Sequence, residues 1–215
     1  MSRNKKKSRV RTAKGRKVSS TLWLERQLND PYVAEAEKQG YRSRAAFKIK
    51  EIDKKVKLFK KGMKVLDLGA APGGWSQVAA EKGCTVVAID LLKMDEIPGV
   101  DFIKMDFMDD DAPDKLKEML GGKADIVMSD MAPNTTGHKQ TDHIRIMAVV
   151  EAAYYFAQEV LKPEGVFIAK VLQGGAQNEL LAQMKKDFKT IRHIKPPASR
   201  KESSEQYLVA SGFRG

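Results

Sequence analysis

The chain has 215 residues, 42% hydrophobic and 31% charged, a composition that supports one full-sized folded domain. No apolar run approaches the ~18 residues a membrane helix needs, and the basic N-terminus leads into no secretory h-region, so the expectation is a cytoplasmic protein off the membrane. Cys84 is the only cysteine, which excludes an internal disulfide framework and any multi-cysteine metal site.

The net charge of +11 is unevenly spread. Residues 1–20 hold nine Lys and Arg side chains and no acid. A basic, apolar-poor arm cannot bury enough surface to fold alone, so a disordered arm that binds nucleic-acid phosphates is expected there. A solubilising tail or an anionic-membrane binder would carry the same charge. Residues 21–215 are expected to form a single domain.

Thr21 to Gln39 has helical spacing, in two pieces broken near Asn29-Asp30-Pro31. A third helix is expected from Ser43, a candidate N-cap, with Ala46, Phe47, Ile49, Ile52 and Val56 on its apolar face. Arg42, Arg44, Lys48 and Lys50 fall on other faces, as a phosphate-contacting edge or simply as solvated charge.

The organising stretch is Val65 to Trp75, VLDLGAAPGGW. It reads as a buried strand, a glycine-rich turn and the start of a helix, the nucleotide crevice of a doubly wound α/β fold. The glycines are spaced G-x-x-x-G-G with Pro72 among them, a poor pyrophosphate cradle compared with G-x-G-x-x-G. Asp67 beside them would repel phosphate and attract a cation. S-adenosylmethionine, a nucleoside with a sulfonium, an ammonium and no phosphate, suits both features.

A second strand, Thr85 to Ile89, opens after Cys84, a core residue, and ends at Asp90. An acid at that strand tip is where a ribose diol is held. A third strand, Asp101 to Met105, is followed by Asp106. Then come a helix from Asp114 to Leu120, a fourth strand from Asp125 to Ser129 ending at Asp130, and a long helix from Thr141 to Leu161. The fifth strand, Val166 to Ala169, ends at Lys170, and a helix from Glu179 to Lys186 precedes two more strands, Phe188 to Ile194 and Glu205 to Ala210. Strands alternating with helices predict a Rossmann-like, seven-stranded, mostly parallel sheet with helices on both faces. The last two strands are joined by too few residues for a helical crossover and should pair antiparallel.

Ligands in such sheets bind outside the carboxyl ends of the strands. Asp90, Asp106, Asp130 and Lys170 all fall there, a convergence that packing alone does not explain. A lysine in such a crevice is a candidate general base: burial and a nearby cation favour its neutral amine, whereas Asp130 and Glu205 favour the ammonium. His138, His143 and His193 are too scattered to form a metal site, so no metal is expected.

The segments RSRAAFK (42–48), DLGAAPGGWSQ (67–77), DLL (90–92), Asp106-Phe107, SDMAPN (129–134) and Lys170-Val171 together resemble the FtsJ/RrmJ family of ribosomal RNA ribose 2′-O-methyltransferases. The resemblance covers nearly everything after residue 20. It implies S-adenosyl-L-methionine as cofactor and a catalytic tetrad at Lys48, Asp130, Lys170 and Glu205. It further implies cofactor contacts at Gly73, Trp75, Asp90, Asp106 and Asp130. In that reading Lys170 takes the proton of a ribose 2′-hydroxyl, Asp90 holds the cofactor ribose and Asp106 its adenine. The family's bacterial large-subunit branch, which this chain resembles most, modifies a uridine of 23S ribosomal RNA. The implied partner is ribosomal RNA or the large ribosomal subunit, approached by a monomer.

Other readings make different demands. A pyrimidine C5-methyltransferase needs a cysteine nucleophile, and Cys84 lies in a core strand. Adenine amino-methylation uses an Asp/Asn-Pro-Pro-aromatic loop, whereas Asp130-Met131-Ala132-Pro133 has no aromatic clamp. A 2′-O-methyltransferase of transfer RNA, or a non-catalytic ribosome-assembly factor with this fold, would share most of these features. Labelled methyl transfer separates catalytic from non-catalytic readings.

Overall fold

In the computed structural model, residues 18–133, 136–173 and 178–215 are described; most of the basic arm (1–17) lies outside them. Helix α1 (Val18–Leu28) begins within the stretch assigned to the arm. Pro31 then opens α2 (Pro31–Gln39), whose N-cap Asp30 accepts from the Tyr32 backbone N–H.

The third helix, α3 (Ala45–Val56), corrects two expectations. Its N-cap is Arg44, not Ser43, and the Ser43 hydroxyl is buried without a hydrogen-bond partner. It lies instead against Gly74, where a Cβ would come 2.6 Å from Ser43 Oγ. Lys48 is not on a solvated face: it is 8% exposed and points into the protein.

Seven strands alternate with the remaining helices: β1 (Lys64–Leu68), α4 (Gly74–Glu81), β2 (Thr85–Asp90), β3 (Val100–Lys104), α5 (Ala112–Leu120), β4 (Ala124–Ser129), α6 (Lys139–Val160), β5 (Leu161–Leu172), α7 (Asn178–Asp187), β6 (Phe188–Ile194) and β7 (Glu205–Phe213). They form one sheet in the order β3-β2-β1-β4-β5-β7-β6. The first five strands are parallel, and β7 runs antiparallel between β5 and β6. The mostly parallel, seven-stranded Rossmann-like expectation therefore holds, down to the antiparallel pairing of the last two strands. β5 is longer than expected. It begins directly at the end of α6, and a register shift between Ala124 and Ile126 accommodates the Pro163–Gly165 turn with Glu164 at φ 68°.

Side-chain alternation gives the sheet two cores. Leu66, Leu68, Val127, Phe167 and Ala169 face α5, α6 and α7. Val65, Ile126, Met128, Ile168 and Tyr207 face α3 and α4, and Cys84 is buried in this second core as expected. The strand order reverses between β1 and β4, so the open crevice lies at their carboxyl ends, roofed by the first turns of α3 and α4.

Candidate active site

The glycine turn between β1 and α4 is tight because its glycines leave no room for a side chain. Gly69 has φ 78°, and a Cβ there would come 2.5 Å from Met131 Cγ and 3.1 Å from the Met131 backbone. Gly73 has φ 107°, and a Cβ would meet Ile97 at 2.6 Å and Met94 at 2.9 Å. Its carbonyl accepts from Gln77 N at 2.8 Å and so opens α4, whose first-turn N–H groups include those of Gly74 and Trp75. The Trp75 indole is itself buried, donates to Ala45 O at 3.0 Å and packs on Tyr207 with ring centroids 5.3 Å apart. What Trp75 offers a ligand is therefore its backbone.

Asp67 lies under this turn rather than in the open crevice. It is fully buried, Oδ2 accepts from Ser76 Oγ at 2.6 Å, and Oδ1 has no hydrogen-bond partner. Burial pushes its carboxyl up to about 7, against the bond from Ser76 and with Asp130 and Asp90 acting in the same upward direction.

Asp90 closes β2. Its Oδ2 accepts from Ala71 N at 2.8 Å and Oδ1 from Leu92 N at 2.8 Å, which ties the second strand to the glycine turn. Asp106 accepts from Met108 N at 2.9 Å. Each carboxylate keeps lone pairs for a ligand. The neighbouring Leu91, Leu92 and Met108 are exposed apolar side chains on the same rim.

Strand register builds the rest. Lys170 on β5 pairs with Tyr207 on β7, and Leu172 pairs with Glu205, so Lys170, Tyr207 and Glu205 share the sheet face under α3. Ser129 pairs with Ala169, which sets Asp130 beside Lys170. Lys170 Nζ lies 2.9 Å from Asp130 Oδ1 and also donates to Asp130 O at 2.7 Å. Tyr207 donates to Asp130 Oδ1 at 2.7 Å and accepts from Lys48 Nζ at 3.2 Å. Lys48 in turn lies 2.6 Å from Glu205 Oε1, which also accepts from Ser199 Oγ at 2.9 Å. The four residues of the expected tetrad thus form one chain of contacts, Lys170–Asp130–Tyr207–Lys48–Glu205.

Tyr207 is the member that sequence reasoning missed; one signal was its place two residues beyond Glu205, on the same strand face. Burial, then the charges of Asp130 and Glu205, push its hydroxyl well above the usual tyrosine range, so it stays a donor to Asp130. Burial alone would raise Asp130 too. The ammonium groups of Lys170 and Lys48, with the bonds from Lys170 and Tyr207, outweigh it and hold that carboxyl below its ordinary value.

Outside the Lys48–Glu205 end lies a cavity of about 400 Å³ whose walls include Arg26, Arg44, Arg200 and Glu202. Asp30 holds two of these arginines, Arg44 Nε at 3.1 Å and Arg200 Nη2 at 3.3 Å. This cationic wall links the first two helices to the site, a connection the separate sequence segments did not reveal.

A seven-stranded Rossmann-like sheet with a glycine turn at its switch point and paired lysines and carboxylates beside it has the crevice of the nucleoside-binding class. Residues 41–213 match the FtsJ-like methyltransferase family, and the chain belongs to it. It is 63% identical over 212 residues to the ribosomal RNA large subunit methyltransferase E of Bradyrhizobium diazoefficiens, covering 96% of this chain and 93% of that one. It is 59% identical over 215 residues to the protein of the same name from Paramagnetospirillum magneticum, covering 96% and 88%. The crystal structure of a ribosomal RNA methyltransferase from Plasmodium falciparum superposes with a TM-score of 0.73 at 34% identity, covering 81% of this chain and all of that one.

Proposed function

We propose that the protein transfers a methyl group from S-adenosyl-L-methionine to a ribose 2′-hydroxyl of large-subunit ribosomal RNA, a uridine of 23S RNA being the expected target. The observation that carries this reading is the geometry of Lys170. Two of the three hydrogens of its ammonium are committed to Asp130, one to Oδ1 and one to the main-chain oxygen. A neutral amine keeps both bonds and presents its lone pair in the third direction, as a positioned base must.

The residues present suit the methyl donor. The glycine turn admits close backbone approach, Asp90 and Asp106 retain acceptors for a ribose diol and an adenine amino group, and Leu91, Leu92 and Met108 offer apolar surface to a base. Gly73, the Trp75 backbone and Asp130 complete the set on the methionine side. When bound, the cofactor supplies an electrophilic methyl on a sulfonium. Lys170 removes the 2′-hydroxyl proton as that oxygen attacks, and Asp130 fixes the amine through both bonds. Lys48, locked between Glu205 and Tyr207, steadies the ribose on the cavity side. Much of the acceleration comes from aligning the two reactants in line.

Arg26, Arg44 and Arg200 line the approach, and the arm at residues 1–17 adds sequence-insensitive phosphate contacts. No described helix is long and apolar enough to cross a membrane. The reading places the chain, as a monomer, with the ribosome in the cytoplasm. The test is transfer of labelled methyl from the cofactor to large ribosomal subunits, followed by mapping of alkali-resistant 2′-O-methyl sites. Label in the base rather than the ribose, or none at all, overturns the reading.

A further inference from the structure

Asp67 has no part in the proton transfer just described, yet it is the most unusual carboxyl in the molecule. It projects from β1 onto the sheet face under α4, is fully buried, and leaves Oδ1 without a partner. An unpaired buried carboxylate oxygen is costly unless the group is neutral or a cation comes near. The charged groups that bear on it are Asp130 at the end of β4 and Asp90 at the end of β2. From α4 it receives only the neutral Ser76 hydroxyl and N–H. The nearby lysines are committed elsewhere: Lys170 of β5 to Asp130, and Lys48 of α3 to Glu205.

Three carboxyls therefore bear on one another around the glycine turn, and the innermost, Asp67, has no counter-charge of its own. The methyl group that leaves the cofactor must lie within reach of Lys170 and hence beside Asp130. A sulfur one bond further back would bring its positive charge toward these carboxyls. The sulfonium is positive before transfer and a neutral thioether after it.

Resting on the cofactor reading above, we propose that Asp67 is a charge-sensing residue of the cofactor site: it gives up its proton to solvent when the sulfonium donor binds and retains it when the demethylated product is bound. The donor is then held by a carboxylate that the product does not call into being, which favours exchange of product for fresh donor after each turnover. Burial pushes this carboxyl up to about 7, so it can carry a proton near neutral pH, and there is a proton to release.

The full-length protein is titrated calorimetrically with S-adenosylmethionine and, separately, with S-adenosylhomocysteine, in buffers of differing ionisation enthalpy. Working at pH 6.0–7.0 keeps the ligand α-amino groups, which titrate near 7.7–8.0, out of the result. The donor should release a measurable fraction of a proton more than the product at pH 7. Asp67→Asn should abolish that difference. A second readout uses wild-type protein alone. The donor-to-product affinity ratio should rise with pH across this window, by at most about tenfold per unit. Equal proton release by the two ligands with a flat ratio overturns the proposal, as does a difference that survives in Asp67→Asn. Failure of the donor to bind at all overturns the cofactor reading instead, so the two can be told apart.

Discussion

Replacing Lys170 tests the proposed chemistry most directly, and two substitutions divide the question. Lys170→Met removes the amine and keeps the aliphatic stem. Lys170→Arg keeps a cation that can still face Asp130 but cannot act as a base. If Lys170 serves only as a charge, Arg should retain most of the activity. If it accepts the proton, both variants should lose roughly 10²–10⁴-fold in the methyl-transfer step. The structural cost should be smaller. Breaking a buried ion pair costs ~3–5 kcal/mol, but Asp130 keeps its 2.7 Å bond from Tyr207 and the pair is partly open to solvent, at 12% and 19% side-chain exposure. A loss of about 1–3 kcal/mol in unfolding free energy for Lys170→Met follows. Single-turnover transfer of labelled methyl, with cofactor affinity and denaturant unfolding measured in parallel, separates these effects. Near wild-type transfer by Lys170→Arg would refute the base assignment, because that variant alone keeps the charge without the lone pair.

Asp90→Ala should act mainly on the cofactor, since its carboxylate joins the β2 tip to the Ala71 N–H of the glycine turn; weakened donor binding with unchanged RNA affinity is expected by calorimetry. Tyr207→Phe removes the link between Asp130 and Lys48 but leaves both ion pairs. It should cost about 1.5–3 kcal/mol in stability, with a smaller rate loss than either Lys170 variant; a rate defect as deep as theirs would put the phenol in the proton path. For Asp67 the sign follows from burial. The unfolded carboxyl ionises near pH 4, the folded one near 7, so the folded state holds more protons in between and stability falls as pH rises through that window. Asp67→Asn should therefore gain on wild type by up to roughly 4 kcal/mol between pH 4 and pH 8, and parallel unfolding curves for the two would contradict this. Deleting residues 1–17 should weaken RNA binding and flatten its salt dependence by up to roughly 0.7–0.9 in log–log slope per lost contact. An unchanged slope would assign the arm another task.

Most of the fold was legible because its signals are local. Short apolar runs at strand positions marked most of the strands, and the short connection between β6 and β7 required an antiparallel pair. Errors arose where a tertiary contact outweighed a local preference. Ser43 has the chemistry of an N-cap, but its hydroxyl is turned against Gly74 by the packing of α3 on α4. Pro163 and Gly165 read as a break between helix and strand. In the sheet that turn is absorbed as an irregularity inside β5, because Leu161 already pairs with Ala124.

The candidate site divides along the same line. Asp90, Asp130 and Lys170 could be found from position alone, since a charge ending a buried strand has only the crevice to enter. Lys48 and Tyr207 could not. At helical spacing Lys48 looks like surface charge; only the seating of α3 over the start of β7 turns it inward to Glu205. Tyr207 looks like one more apolar strand residue until the register sets it opposite Lys170. A shift of a single residue in that register would send Tyr207 and Glu205 to the α6 face and separate the two ion pairs. The proposed catalytic arrangement therefore depends on the one antiparallel strand in the sheet. β7 is inserted between β5 and β6, and it carries both the carboxylate that holds one lysine and the hydroxyl that ties that lysine to the carboxylate of the other.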